Sequence, residues 1–168
     1  MDRTDLHVHI EVLKDGVWHH YANPSMKRSD IVFKLFAGLE TYRHKFPVEV
    51  NRIPTREGLP DDMSVITKLA YEYDKTHLTI IHHEGVATKA DLVEMRRVLN
   101  MAKQFGKSEM QKFVFGKFGS DTDTTAIVNA FDPKVDLEED IFHTYISGEA
   151  ITRHENYDDV RVVFWFDN

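Results

Sequence analysis

The stretch Asp5-Leu6-His7-Val8-His9-Ile10-Glu11-Val12-Leu13-Lys14, then Asp15-Gly16, then Val17-Trp18-His19-His20-Tyr21, leaves the chain little choice of local structure. Leu6, Val8, Ile10 and Val12 alternate with His7, His9, Glu11 and Leu13, the period of a strand with one buried face. Asp15-Gly16 is a two-residue hairpin turn, because both positions tolerate positive φ. That turn sets the register: Lys14 opposite Val17, Leu13 opposite Trp18, Glu11 opposite His20. One face of the hairpin then carries His7, His9, Glu11, Trp18 and His20. The other carries Leu6, Val8, Ile10, Val12, His19 and Tyr21.

The far end of the chain supplies a matching strand. Val160, Val162, Phe164 and Phe166 alternate with Arg161, Val163 and Trp165, so both faces are mostly apolar. A strand of that kind belongs inside a sheet, and the N-terminal hairpin is its expected neighbour. Between the two, a helix is expected from about Ser29 with Ile31, Val32, Leu35, Phe36 and Leu39 inward. Residues 41–63, interrupted by Pro47, Pro54, Gly58 and Pro60, read as a long loop, a feature often tied to binding.

Ser64 is placed to cap a second helix running to Tyr73, and Leu78-Thr79-Ile80-Ile81 reads as a short strand. Thr88-Lys89-Ala90-Asp91 is a capping-box variant opening a long helix with Leu92, Met95, Leu99, Ala102 and Phe105 on one face. That stripe is core. Ser120-Asp121-Thr122-Asp123 is expected to be a polar loop; the EF-hand spacing, its glycine and its closing glutamate are missing. With no internal repeat or linker, the expectation is one α+β domain over 1–168, an antiparallel sheet packed by three or more helices.

Bulk properties narrow the functional classes. A formal net charge of -7 argues against wrapping a nucleic-acid duplex, though not against a local basic pocket for a small phosphate ligand. No cysteine is present, so disulfides and thiolate metal sites are unavailable. No apolar run reaches the length of a membrane span and the first residues do not read as a secretion signal, so a cytosolic protein is expected.

Several stretches together resemble a family of small proteins common in tailed-phage genomes. They are Asp5-Leu6-His7-Val8, Asp15-Gly16-Val17-Trp18 with Tyr21, Pro24, Leu35-Phe36-Ala37-Gly38, Gly58-Leu59-Pro60-Asp61-Asp62-Met63-Ser64 with Thr67, and Val160 through Asn168. The resemblance implies a phage origin, hence the host bacterial cytosol, and supplies no catalytic residues. The chain departs from that pattern at Glu57, where arginine is expected before Gly-Leu-Pro. It departs again at His82-His83-Glu84-Gly85-Val86, where a helix start is expected. The first departure weakens any phosphate role for the Gly58 loop.

Two chemistries compete on these residues. Lys27, Arg28, Arg43, Arg52 and Arg56 lie within or beside the irregular segments, near Trp18, Tyr21 and Tyr42 in sequence. Arginine grips phosphate through a planar fork and aromatic faces stack on bases. Trp18, Tyr21, Arg28, Arg52 and Arg56 are therefore the candidate ligand-binding set. The plain alternative is a solvated loop with its arginines paired to Glu40, Glu49, Asp61 and Asp62.

The rival set is His7, His9, Glu11 and His20. Asp5-Leu6-His7-Val8-His9 has the D-x-H-x-H form of a metal-binding strand in amidohydrolases and related phosphoesterases. Zinc or manganese on His7, His9 and His20 would activate a water for phosphodiester hydrolysis. Those enzymes use barrels longer than this chain. His77, His82, His83 and Glu84 form a second cluster, expected at a surface turn or helix start, and His143 and His154 stand alone. Nucleophilic hydrolysis has no G-x-S-x-G elbow or P-loop, and Ser64 and Ser147 read as a cap and a turn.

The first reading is a non-enzymatic phage accessory protein, with no cofactor. It would bind and sequester a small host nucleotide immune signal, an ADP-ribose derivative or cyclic nucleotide, as a counter-defence sponge; sequestration is what small phage accessory proteins often do. The alternatives are the metal-dependent phosphodiesterase and a protein-binding inhibitor of a host enzyme. An unpaired edge strand would favour a homo-oligomer.

Overall fold

A computed structural model describes residues 4–26, 30–38, 52, 56–77, 80–103 and 145–168. Five strands make one antiparallel sheet: β1 (Asp5–Lys14), β2 (Val17–Ala22), β3 (Arg56–Glu57), β4 (Ile81–Thr88) and β5 (Asp159–Asp167), in the order β2-β1-β5-β4-β3. Four described helices pack it: α1 (Asp30–Ala37), α2 (Val65–His77), α3 (Lys89–Lys103) and α4 (Gly148–Glu155). The fold is α+β, with the N-terminal hairpin and the C-terminal strand side by side.

The hairpin register is the expected one, with Lys14 on Val17, Leu13 on Trp18 and Glu11 on His20. Asp15 and Gly16 both have positive φ, at 53° and 77°, as a tight primed turn requires. A bulge then shifts the pairing so that Ile10 meets Ala22. Tyr21 is the extra residue, and both Tyr21 and Ala22 pack against the core.

β5 lies at the sheet centre between β1 and β4, as its two apolar faces demand. Leu6, Val8, Ile10 and Val12 of β1 join Val160, Val162, Phe164 and Phe166 of β5 on one face. Against them pack Val32, Phe33, Leu35 and Phe36 of α1, Leu92 and Met95 of α3, and Ile151 of α4. Phe33 and Phe36 meet Phe166 and Phe164 edge-on, with centroids 5.2 and 4.9 Å apart. Phe33 was not in the expected stripe, because α1 buries more of its circumference than one amphipathic face.

The opposite face is covered too. Val86, Val163 and Trp165 form a smaller core with Ala70 and Tyr71 of α2 and with Leu59 and Met63 of the segment before it. Ser64 caps α2 as expected: its Oγ accepts from the Thr67 N–H at 3.3 Å. The helix continues to His77, past the expected end at Tyr73. At α3 the capping box forms in both directions, Thr88 N–H to Asp91 Oδ2 at 2.9 Å and Asp91 N–H to Thr88 Oγ1 at 3.3 Å.

Three local expectations need correction. His82-His83-Glu84-Gly85-Val86 is strand, not a turn or helix start, because β4 finds its partner in β5, which is 80 residues distant and invisible to local pattern. The expected strand start at Leu78-Thr79 lies outside the described residues, and β4 begins at Ile81. Within the expected loop of residues 41–63, Arg56–Glu57 forms the edge strand β3 against Val86 and Gly85. Ser147, expected at a turn, precedes α4 as its N-cap residue. Leu39, Tyr42, Arg43, Glu40, Glu49, Phe105, the Ser120 loop and His143 lie outside the described residues.

Candidate ligand-binding site

The histidine face exists, and α2 lies across it. His7, His9 and Glu11 share the side of β1 that faces α2, but they enter three separate arrangements. His7 Nε2 hydrogen-bonds Asp167, its register neighbour's flank on β5, and its Nδ1 lies 3.7 Å from Asp74 Oδ2 of α2. His9 lies almost flat on Trp165, with centroids 4.9 Å apart, and its Nδ1 is 3.1 Å from His20 Nε2. Burial, then the neighbouring His20, pushes His9 down to about 4. Burial lowers His20 as well.

Glu11 is fully buried and its carboxylate is fully engaged. Oε1 accepts from Arg161 Nε at 2.9 Å, and Oε2 accepts from the Ser64 N–H at 2.7 Å. Arg161 reaches on to Asp62 Oδ1 at 3.0 Å and lies over the Trp18 ring at 4.0 Å. A carboxylate at the start of α2 also meets the positive end of that helix. In this structure Glu11 therefore ties α2 to the sheet. Of the phosphodiesterase set, His9 and His20 meet, while Glu11 is held by Arg161 and the Ser64 N–H, and His7 by Asp167.

The expected ligand-binding set divides as well. Trp18 lies on the α2 side of the sheet under Arg161, whereas Tyr21 packs on the opposite side, edge-on to Tyr157 with centroids 6.0 Å apart. Arg52 pairs with Glu57 of β3 at 3.1 Å. β3 and β2 are opposite edges of the sheet, four strand spacings or roughly 19 Å apart. Arg56 contributes its backbone to β3; its side chain, like the whole of Arg28 and Lys27, lies outside the described residues.

Tyr21 leads to a different place. Its neighbour Tyr157 lines an open groove of about 450 Å³ together with Lys89, Glu149, Thr152, Arg153 and Asp158. Lys89 heads α3, and Glu149, Thr152 and Arg153 lie on α4, so the groove exists because those two helices pack side by side. Gly148 allows the approach: a Cβ there would stand 3.0 Å from Lys89 Cγ and 3.2 Å from Val160 Cγ1. Burial, then Glu155, raises the Tyr21 hydroxyl, so it stays a neutral phenol behind the groove.

Two cations, an aromatic ring and two carboxylates thus border this groove. Lys89 and Arg153 can donate to anionic oxygens, and Glu149 and Asp158 can accept from hydroxyl or amino groups. Sequence reasoning singled out Tyr21, which packs against the lining residue Tyr157, and none of the residues that line the groove. Their only sequence signal was Gly148 within a helical segment, because 60 residues separate Lys89 from Glu149.

The second histidine cluster lies at the other end of the sheet. A bulge at His83, whose φ is 51°, turns both imidazoles to the same side, so the Nδ1 atoms of His82 and His83 face each other. On a regular strand adjacent side chains point apart, which is why the sequence separated them. His82 Nε2 is 3.2 Å from Asn168 Oδ1, and the Tyr71 hydroxyl donates to Glu84 at 2.5 Å. Burial and that hydrogen bond push Tyr71 up to about 12.

Compared with protein-family models, with curated proteins and with solved structures, the chain matches none.

Proposed function

We propose that the protein is a non-enzymatic binding protein that holds a small phosphate-bearing nucleotide in the groove between α3 and α4. The observation that carries this reading is the groove itself: about 450 Å³, with Lys89, Arg153 and Tyr157 on its walls. On the histidine face, by contrast, His9 stacks on Trp165 beside His20, and Glu11 binds Arg161 and the Ser64 N–H. Lys89 and Arg153 hold the phosphates, and Tyr157, backed by Tyr21, walls the base or sugar. Glu149 and Asp158 favour a ligand that also carries hydroxyl or amino donors, which selects a nucleotide over inorganic phosphate.

In a phage, such a protein acts as a counter-defence sponge for a nucleotide signal in the host cytosol. The resemblance to small tailed-phage proteins supports that setting. The test is titration calorimetry of the purified chain with ADP-ribose, a cyclic dinucleotide and inorganic phosphate, followed by mass spectrometry of heat-released material. Binding of an intact nucleotide near one per chain, with phosphate much weaker, is expected. Cleavage products would replace the binding reading with a catalytic one, and no binding by any of the three would overturn it.

A further inference from the structure

α2 presents two different faces. Thr67, Ala70, Tyr71 and Asp74 turn toward the sheet, where Thr67 is fully buried and Asp74 accepts from Trp165 Nε1 at 3.0 Å. The outer face carries Val65, Ile66, Leu69 and Tyr73, which are 73, 58, 63 and 62% exposed. Single exposed apolar residues are ordinary; four on one side of one 13-residue helix form a continuous patch. Val65, Leu69 and Tyr73 are spaced i, i+4, i+8, the ridge that packs into a facing helix at about −50°.

The charges beside that ridge choose the occupant. Lys68 and Glu72 are both exposed, lie four residues apart, and occupy one flank of the ridge. A two-fold axis through Leu69–Ala70 that runs the two helices antiparallel places Lys68 beside Glu72 of the partner subunit, and Glu72 beside Lys68 of the partner subunit. The same operation sets Ile66 near Tyr73 of the partner subunit. The flank is thus complementary to itself, which is what an isologous contact requires. We infer that the outer face of α2 is a self-association surface, joining two copies of this chain through antiparallel α2 helices. The contact is small, so the dimer is concentration-dependent.

Sedimentation velocity of the full chain across a wide concentration range tests this, with thermal unfolding to show that each variant is folded. The wild-type chain is expected to shift from monomer to dimer. L69E is expected to stay monomeric with an unchanged unfolding midpoint. K68E and E72K each bring like charges together twice per dimer and are expected to weaken association about tenfold. The double variant K68E/E72K rebuilds both pairs in reverse and is expected to return to within about threefold of wild type. A wild-type chain that remains monomeric at several hundred micromolar would overturn the proposal and leave the ridge to a different protein. Dimerisation undiminished in L69E, or no recovery in the folded double variant, would overturn it equally.

Discussion

Arg161 of β5 and Glu11 of β1 are register partners in the sheet, and they close a buried ion pair, with Nη2 and Nε at 2.8 and 2.9 Å from the same carboxylate oxygen. The pair joins four parts of the fold. Glu11 reaches the Ser64 N–H at the start of α2, and Arg161 reaches Asp62 and the Trp18 ring of β2. One interaction thereby fixes where α2 lies on the sheet.

Removing one partner leaves the other charged and buried. Glu11→Ala and Arg161→Met are each expected to cost about 3–5 kcal/mol. The double variant is expected to lose much less than the sum of the two. Urea unfolding of the three variants and wild type gives the coupling directly; additive losses would show that the pair does not act as a unit.

His9 gives the protein an acid-sensitive core. Its folded value of about 4 lies below the ordinary 6.5, so between those values the unfolded chain takes up a proton that the folded chain refuses. Its contribution is complete above pH 6.5 and is lost as pH falls toward 4, up to about 3 kcal/mol. His9→Phe keeps a ring against Trp165 and removes the titrating nitrogen. Stability measured at pH 7 and pH 4.5 should then fall less in the variant than in wild type, and an equal fall would place the acid sensitivity elsewhere.

In the groove, Lys89→Ala and Arg153→Ala are expected to weaken nucleotide binding about tenfold each, the scale of one charge-assisted hydrogen bond. Unfolding midpoints should move little, because both side chains line an open surface. Trp18→Phe, on the other side of the sheet, should leave affinity unchanged. Calorimetry on the three variants separates this groove from a pocket built around Trp18.

Gly148 of α4 packs directly against Lys89 of α3. Gly148→Ala would put a methyl 3.2 Å from Val160 Cγ1 in the core and 3.0 Å from the stem of Lys89. Displacing Val160 is expected to cost about 1–2 kcal/mol. The shift of Lys89 should also weaken ligand binding. Retained stability with retained affinity would show that the two helices separate without cost.

The sequence by itself determined what depends on spacing and turn chemistry. The hairpin register followed from Asp15-Gly16, the central position of β5 from its two apolar faces, and the starts of α2 and α3 from Ser64 and Thr88. It also put His7, His9, Glu11, Trp18 and His20 on one face. Period-two alternation and capping bonds act within a few residues, so they can be read from a few residues.

Only the tertiary structure decided what covers each face and which groups meet. β4 became strand through its pairing with β5, and the bulge at His83 brought together two imidazoles that alternation had separated. α2 closed over the histidine face and converted Glu11 from a candidate ligand into the partner of Arg161. The groove brought Lys89 together with Arg153 and Tyr157 from two distant stretches of chain. Each of these depends on contacts between residues far apart in sequence, where helix and sheet packing, and not local pattern, sets the geometry.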